Sequence, residues 1–249
     1  MKRININRMV ETPSNPNFRQ DTKILQIVTL TPLAGLSIIV AGGSVIDTLL
    51  GRPYNDIDVW SRSQCDREQV SAFAQSICDQ WPKKKRDPVP SFTVEIHDHE
   101  YAEGFRHRWT ISISSPCGRV YEIQIMEICG GMHLISTHDL VATTLKRFSS
   151  CCTKFALVKS RNGNVIIHGH LEDEPQRIMQ FTKLNDSPGT VRYIKKCVEK
   201  YSPYFGIENF RITTLPAQRL TWYYQNQAPL KLTTLTTRGY EYANLWGRI

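Results

Sequence analysis

The sequence holds no Cys-x-x-Cys pair, no internal repeat, no low-complexity tract and no long apolar run. Its seven cysteines, at 65, 78, 117, 129, 151, 152 and 197, are odd in number and irregularly spaced. That argues against a zinc ribbon or a disulfide framework and fits a reducing compartment. The most apolar stretch, 24–41, is broken by Thr29, Thr31, Pro32 and Gly35. A membrane span needs about 20 uninterrupted apolar residues, so none is read here, and no secretory signal is read at the N-terminus. Acidic side chains are scarce beside basic ones, 23 against 31, which leaves a net charge of +8. An excess of this sign favours polyanionic partners, nucleic acid above all, and says nothing of fold.

What is present is enough for a real core. A chain of 249 residues, 41% hydrophobic and 22% charged, fits one large globular domain or a domain with an extension. Residues 1–20 are polar with Pro13 and Pro16 and read as an arm. A helix is predicted from Asp21 to Leu30 and a buried strand from Leu36 to Ala41. Val70, Phe73, Ala74, Ile77 and Trp81 recur at helical spacing, with Ser63 or Asp66 as the cap. "SFTVEIH", "RWTISIS" and "RVYEIQIMEI" alternate as strands, the last two joined by a turn at 115–118. "STHDLVATTLKRF" and "SPGTVRYIKKCVEKY" read as helices. In the second, Val191, Ile194, Val198 and Tyr201 form the buried face and Arg192, Lys195, Lys196 and Lys200 the outer one. Residues 154–170 give no clear period beyond a short strand at "NVIIHG". The expected fold class is α+β, with a head at 21–135 and a mostly helical part at 136–249.

The chemistry concentrates in "VAGGSVIDTLLGRPYNDIDVW", residues 40–60. A strand ending at Ala41 runs into Gly42-Gly43-Ser44 and then a helix. Glycine lets the backbone approach a ligand closely, and a helix N-terminus offers unpaired N–H groups to an anion. By itself this describes many tight turns. Asp56 and Asp58 sit two apart in a strand, so they share a face while Ile57 and Val59 take the other. Two carboxylates so placed repel, and a divalent cation between them relieves the cost. By themselves they also describe a solvated edge strand. Together, a phosphate cradle lies twelve residues before a carboxylate pair, with a helix between. That geometry sets a triphosphate between the helix N-terminus and metal ions, as two-metal phosphoryl transfer requires.

This stretch resembles the signature of the nucleotidyltransferase superfamily related to DNA polymerase beta. It is most similar to the head domain of CCA-adding enzymes and bacterial poly(A) polymerases, at Gly42, Gly43, Val45, Asp47, Leu49, Leu50, Gly51, Arg52, Asp56 and Asp58. It departs at Ile46, where that family has arginine, so the resemblance does not imply strict CCA addition. The convincing similarity covers about residues 20–130. It implies a twisted mixed sheet with flanking helices, an NTP substrate, an acceptor hydroxyl and two magnesium ions. It implies catalytic, metal-holding roles for Asp56, Asp58 and a third carboxylate on a neighbouring strand. In "RVYEIQIMEI" that position falls on Glu122 or on Gln124, which share a face; Glu122 is taken as the ligand, and Gln124 would cost one metal an anionic partner. Glu127 has the opposite parity. The resemblance assigns Gly42, Gly43 and Ser44 to the outer phosphates, and Gln124 is placed among the nucleotide-binding residues. "LEDEPQRIMQF" is similar to the family's base-reading motif, implying nucleotide contacts from Glu174 and Arg177; the same residues also describe an exposed helix start.

Other features carry less. Lys83-Lys84-Lys85-Arg86 reads as a phosphate contact, a nuclear localisation signal or a solvated loop. A cytoplasmic location is expected, with a nuclear one if that run is a signal. "HDHE" at 97–100 and "HGH" at 168–170 are too short and isolated to define a zinc site, and "TWYYQNQ" reads as core packing or a base-stacking surface. The function expected is magnesium-dependent transfer of a nucleoside monophosphate from an NTP to an acceptor, with RNA as the partner, no membrane, and other proteins not excluded. The alternative is a catalytically degenerate module of the same fold that binds nucleotide or RNA, or serves as a scaffold in a nucleoprotein or viral assembly.

Overall fold

The computed structural model describes residues 4–5, 17–82, 87–102, 104–129, 136–169, 180–181, 188–205 and 211–212. The elements are β1 (Ile4–Asn5), α1 (Phe18–Leu30), β2 (Ile39–Ala41), α2 (Gly43–Leu49), β3 (Asp56–Ser61) and α3 (Arg67–Asp79). They continue with β4 (Ser91–Ala102), β5 (Phe105–Ser114), β6 (Val120–Ile128), α4 (Thr137–Arg147), β7 (Phe155–Lys159) and β8 (Val165–Gly169). Last come β9 (Gln180–Phe181), α5 (Pro188–Phe205) and β10 (Arg211–Ile212). The chain divides into two units: residues 2–147 with 155–168, and residues 1, 148–154 and 169–249.

The larger unit is built on one mixed sheet, in the order β1-β8-β7-β2-β3-β6-β5-β4. Only the β3–β6 pair is parallel among the registers β1–β8, β2–β3, β2–β7, β3–β6, β4–β5 and β5–β6. The expected mixed sheet is there, and it is larger than the sequence pattern suggested. Residues past 136 add β7 and β8 to it, so the stretch expected to be mostly helical supplies two strands. Phe155, Ala156, Leu157 and Val158 of β7 are all buried. A strand covered on both faces shows no alternation, and periodicity is silent there. "SFTVEIH" runs on to Ala102 because register shifts between Ile96 and His99, and again near Glu100, absorb the break in alternation. The strand expected from Leu36 is paired only from Ile39. Helix α3 starts where Asp66 caps it. Asp66 Oδ1 accepts from the Gln69 N–H at 2.8 Å and Gln69 Oε1 accepts from the Asp66 N–H at 3.1 Å, a reciprocal capping box. No helix among the described residues is long and apolar enough to cross a membrane.

Two helices cover one face of the sheet. Ile57 and Val59 of β3, Ile111 and Ile113 of β5, and Ile123 and Ile125 of β6 are buried on that face, each contributing about 1.5–3 kcal/mol. Helix α1 is tied to the same face through one polar cluster. The buried Asp21 carboxylate accepts from Arg119 Nη1 at 2.7 Å and from the Tyr121 hydroxyl at 3.0 Å. Arg119 Nη2 donates to the Tyr54 carbonyl at 3.3 Å, and the Tyr54 hydroxyl donates to the Asp21 carbonyl at 2.8 Å. The guanidinium also lies over the Tyr121 ring at 4.6 Å. This cluster joins α1, the loop entering β3 and the start of β6, and so fixes where β3 begins.

A second polar anchor lies on the same covered face. Glu127 Oε1 accepts from the Cys65 N–H at 2.8 Å and from Trp109 Nε1 at 3.1 Å, which holds the loop leading into α3. Glu127 is thus a structural group on the face opposite Glu122.

In the smaller unit, Ile194, Val198 and Tyr201 of α5 are buried while Arg192, Lys195 and Lys196 are exposed, as its periodicity predicts. β9 and β10 pair in parallel there.

Two outcomes follow. Arg119→Ala leaves the Asp21 carboxylate buried without its ion pair and should cost roughly 2–4 kcal/mol in urea unfolding, the scale of breaking a largely buried pair; a loss under about 0.5 kcal/mol, ordinary for a surface site, contradicts the anchoring role. Burial pushes the Glu127 carboxyl above its ordinary value. A folded-state pKa raised above the unfolded one means stability is lost as pH rises from the carboxylate range through the raised value. Glu127→Gln keeps an acceptor oxygen and should flatten that part of the stability–pH curve, read from melts across acid to neutral pH.

Candidate active site

Strand β2 ends at Ala41 and the chain turns at Gly42, whose φ of 113° and ψ of −146° are open only to glycine. The Gly42 N–H donates to the Phe155 carbonyl of β7 at 3.2 Å. That N–H is therefore committed to the sheet. What the turn offers a ligand is its lack of a side chain and the first-turn N–H groups from Gly43 onward, which have no partner inside the helix. Ser44 is buried, and its hydroxyl finds no hydrogen-bond partner among the described residues.

Helix α2 is closed just as tightly. The Arg52 N–H donates to the Asp47 carbonyl at 2.8 Å and the Gly51 N–H to the Thr48 carbonyl at 3.1 Å, with Gly51 at φ 67°. This is a Schellman end, and it explains the Leu-Gly-Arg that follows the helix. Ile46 is wholly buried. The position that holds arginine in the resembling family is here a core position.

β2 and β3 run antiparallel, Val40 opposite Val59. The C-terminal end of β2, where the chain turns at Gly42, therefore lies beside the N-terminal half of β3, which carries Asp56 and Asp58. Asp56 is exposed and Asp58 half-buried. On the other side β6 runs parallel, with Asp56 opposite Glu122 and Asp58 opposite Gln124. The four side chains thus share one face of two adjacent strands. Gln124 Nε2 donates to Glu122 Oε1 at 2.8 Å. Both residues left open by the sequence are at the site, and they are joined.

β5 extends this face in a way the sequence reading did not use. Thr110 lies opposite Gln124 and Ser112 opposite Glu122. The signal was present in "RWTISIS", whose alternation puts Thr110 and Ser112 on the polar face. Glu174, Arg177 and Lys83–Arg86 lie outside the described residues.

Asp56 and Asp58 supply hard oxygen donors of the kind magnesium takes. Among the described residues, however, no three His, Cys, Asp or Glu side chains are already grouped to hold a metal ion. The aspartate pair fits a divalent cation; the third carboxylate is engaged by the Gln124 amide.

No family model matches this sequence, and no curated protein sequence does. Solved structures do match. A CCA-adding enzyme in its apo form I matches with a TM-score of 0.52 at 15% identity, over 94% of this chain and 48% of that one. A CCA-adding enzyme in complex with CTP matches at 0.48 and 15%, over 94% and 49%. A Thermotoga maritima CCA-adding enzyme complexed with tRNA matches at 0.42 and 14%, over 91% and 47%. The chain spans about half the length of these structures. The Gly-Gly turn, the aspartate pair on β3 and the parallel β6 beside it belong to a chain that shares the fold of the apo CCA-adding enzyme over about half of that enzyme's length.

Proposed function

We propose that the protein is a nucleotidyltransferase, moving a nucleoside monophosphate from an NTP to an acceptor hydroxyl on RNA. The observation that carries the reading is the juxtaposition of Asp56, Asp58, Glu122 and Gln124 on one face of β3 and β6, beside the glycine turn. Asp56 and Asp58, with Glu122, would hold magnesium, which when bound offsets phosphate charge and activates the attacking hydroxyl. The remaining work belongs to the chain. Gly42 keeps the turn bare, so that phosphate oxygens come close to the backbone. The first-turn N–H groups at Gly43 and Ser44, with the Ser44 hydroxyl, donate to those oxygens. Gln124 holds the Glu122 carboxylate at a fixed angle and keeps its second oxygen for the site. Glu174 and Arg177 have the hydrogen-bonding groups that base selection needs. The net charge of +8 supports RNA as the acceptor.

A second reading is supported by Gln124 opposite Asp58 and by the apolar Ile46. In that reading the fold keeps its nucleotide cradle, transfers nothing, and serves as a binding or scaffold module.

Incubation with magnesium, each labelled NTP in turn and RNA should give incorporation that Asp56→Ala/Asp58→Ala lowers by at least about a thousandfold, the scale of removing a charge-stabilising element. Incorporation unchanged by that double substitution overturns the assignment, and NTP binding with no incorporation by the native protein favours the second reading.

A further inference from the structure

Three histidines stand on the aspartate face, further out along the sheet. His97 and His99 belong to β4 and His107 to β5. His99 lies opposite His107, and His107 lies opposite Met126 of β6, which shares its face with Gln124 and Glu122. The imidazoles touch. His97 stacks on His107 with centroids 4.7 Å apart and planes 22° from parallel, and His99 meets His107 edge to face at 4.8 Å. His99 Nε2 is 3.3 Å from His107 Nδ1, and His107 Nε2 is 3.1 Å from the Thr110 hydroxyl. His97 Nε2 is buried with no hydrogen-bond partner among the described residues. Two register shifts build the cluster, one between Ile96 and His99 and one between His107 and Trp109. Bulges of this kind re-aim side chains and are common beside functional sites.

The charges around it explain what the histidines add. Asp98 Oδ1 is shared by Arg106 at 2.9 Å and Arg108 at 3.3 Å, so this trio keeps one net positive charge. On the histidines' own face stand Glu95 of β4, Glu122 of β6 and, over the Phe105 ring at 5.0 Å, Arg147 of α4. Protonated imidazole would add to the positive charge that Arg147 brings to this face. Burial, then the neighbouring His97 and His99, hold His107 below its ordinary value, against a backbone hydrogen bond at Trp109 and the Glu122 charge. An anion bound beside His107 would act against this lowering by favouring its charged form.

We propose that the His97, His99 and His107 cluster docks the phosphodiester backbone of the acceptor RNA and takes up a proton as it does so. The choice of RNA rests on the nucleotidyltransferase reading. β4 is three strand spacings from β3, about 14 Å. That is the length of about four stacked nucleotides at roughly 3.4 Å each. A 3′ end presented to Asp56 and Asp58 then carries its backbone across the sheet to the histidines. Thr110, Ser112 and Gln124 line the way with hydrogen-bonding groups suited to ribose hydroxyls. A protonated imidazole carries charge, and the ring nitrogens not already paired within the cluster, His97 Nδ1 and His99 Nδ1, can donate to phosphate oxygens.

The test is fluorescence anisotropy of a labelled single-stranded oligouridylate at fixed salt. Affinity should rise as pH falls from about 8 to about 6, by up to about tenfold per unit for each proton taken up. His97→Gln/His99→Gln should lose most of that rise while melting at an unchanged temperature. A flat profile in the native protein, or the same slope in the variant, overturns the docking site. Binding is read without turnover, and Asp56→Ala/Asp58→Ala should keep the pH dependence. A native protein that shows the histidine-dependent slope yet transfers no nucleotide contradicts the proposed function and leaves the docking site standing.

Discussion

Ile57 and Val59 of β3 and Ile123 and Ile125 of β6 are completely buried on one face of a parallel strand pair, and this packing determines where the carboxylates of the other face stand. Side chains alternate along a strand, so a slip of one residue would send the isoleucines to water and the aspartates to the core. Four such side chains contribute about 6 kcal/mol or more together. The repulsion they must hold down, between the exposed Asp56 and the half-exposed Asp58 and Glu122, is about 1 kcal/mol per close pair where water screens it, or about 3 kcal/mol for the three pairs. Packing wins, and the cost is left at the surface as a demand for counter-charge. The Gln124 amide meets part of that demand by donating to Glu122.

The anchors away from the site serve the same register. Asp21, Arg119, Tyr121 and Tyr54 fix the entry to β3 and the start of β6 together. Glu127 fixes the far end of β6 to the loop before α3. Between these ends the pair has no freedom to slide. The departures from local preference fall at the turn and on the polar face: Gly42 in a conformation other residues avoid, a buried Ser44 hydroxyl, and two register shifts around the histidines. Such departures gather where a sequence serves a ligand in addition to its fold.

The sequence made the face of each site residue legible but not its partner. Asp56 and Asp58, and Glu122 and Gln124, were placed on common faces by alternation alone. Which of the second pair stands opposite Asp58 was not readable, because register in a parallel pair is set by the whole connection through α3, β4 and β5. β7 was missed since burial on both faces removes alternation, and the histidine cluster was missed since its members lie on two strands whose bulges the pattern does not announce. "HDHE" alone was too short to interpret; His107 from the facing strand gives it context. The engaged N–H of Gly42 was invisible for the same reason, its acceptor being Phe155 of the strand that was missed.

The central claim is that the face shared by β3 and β6 binds a nucleotide through a divalent cation. Calorimetric titration of the native protein with a non-hydrolysable NTP, in magnesium and then in chelator, tests it most directly. Binding in magnesium should weaken at least about tenfold, or about 1.4 kcal/mol, when the cation is withdrawn. Equal binding with and without magnesium, or none in either, would contradict it.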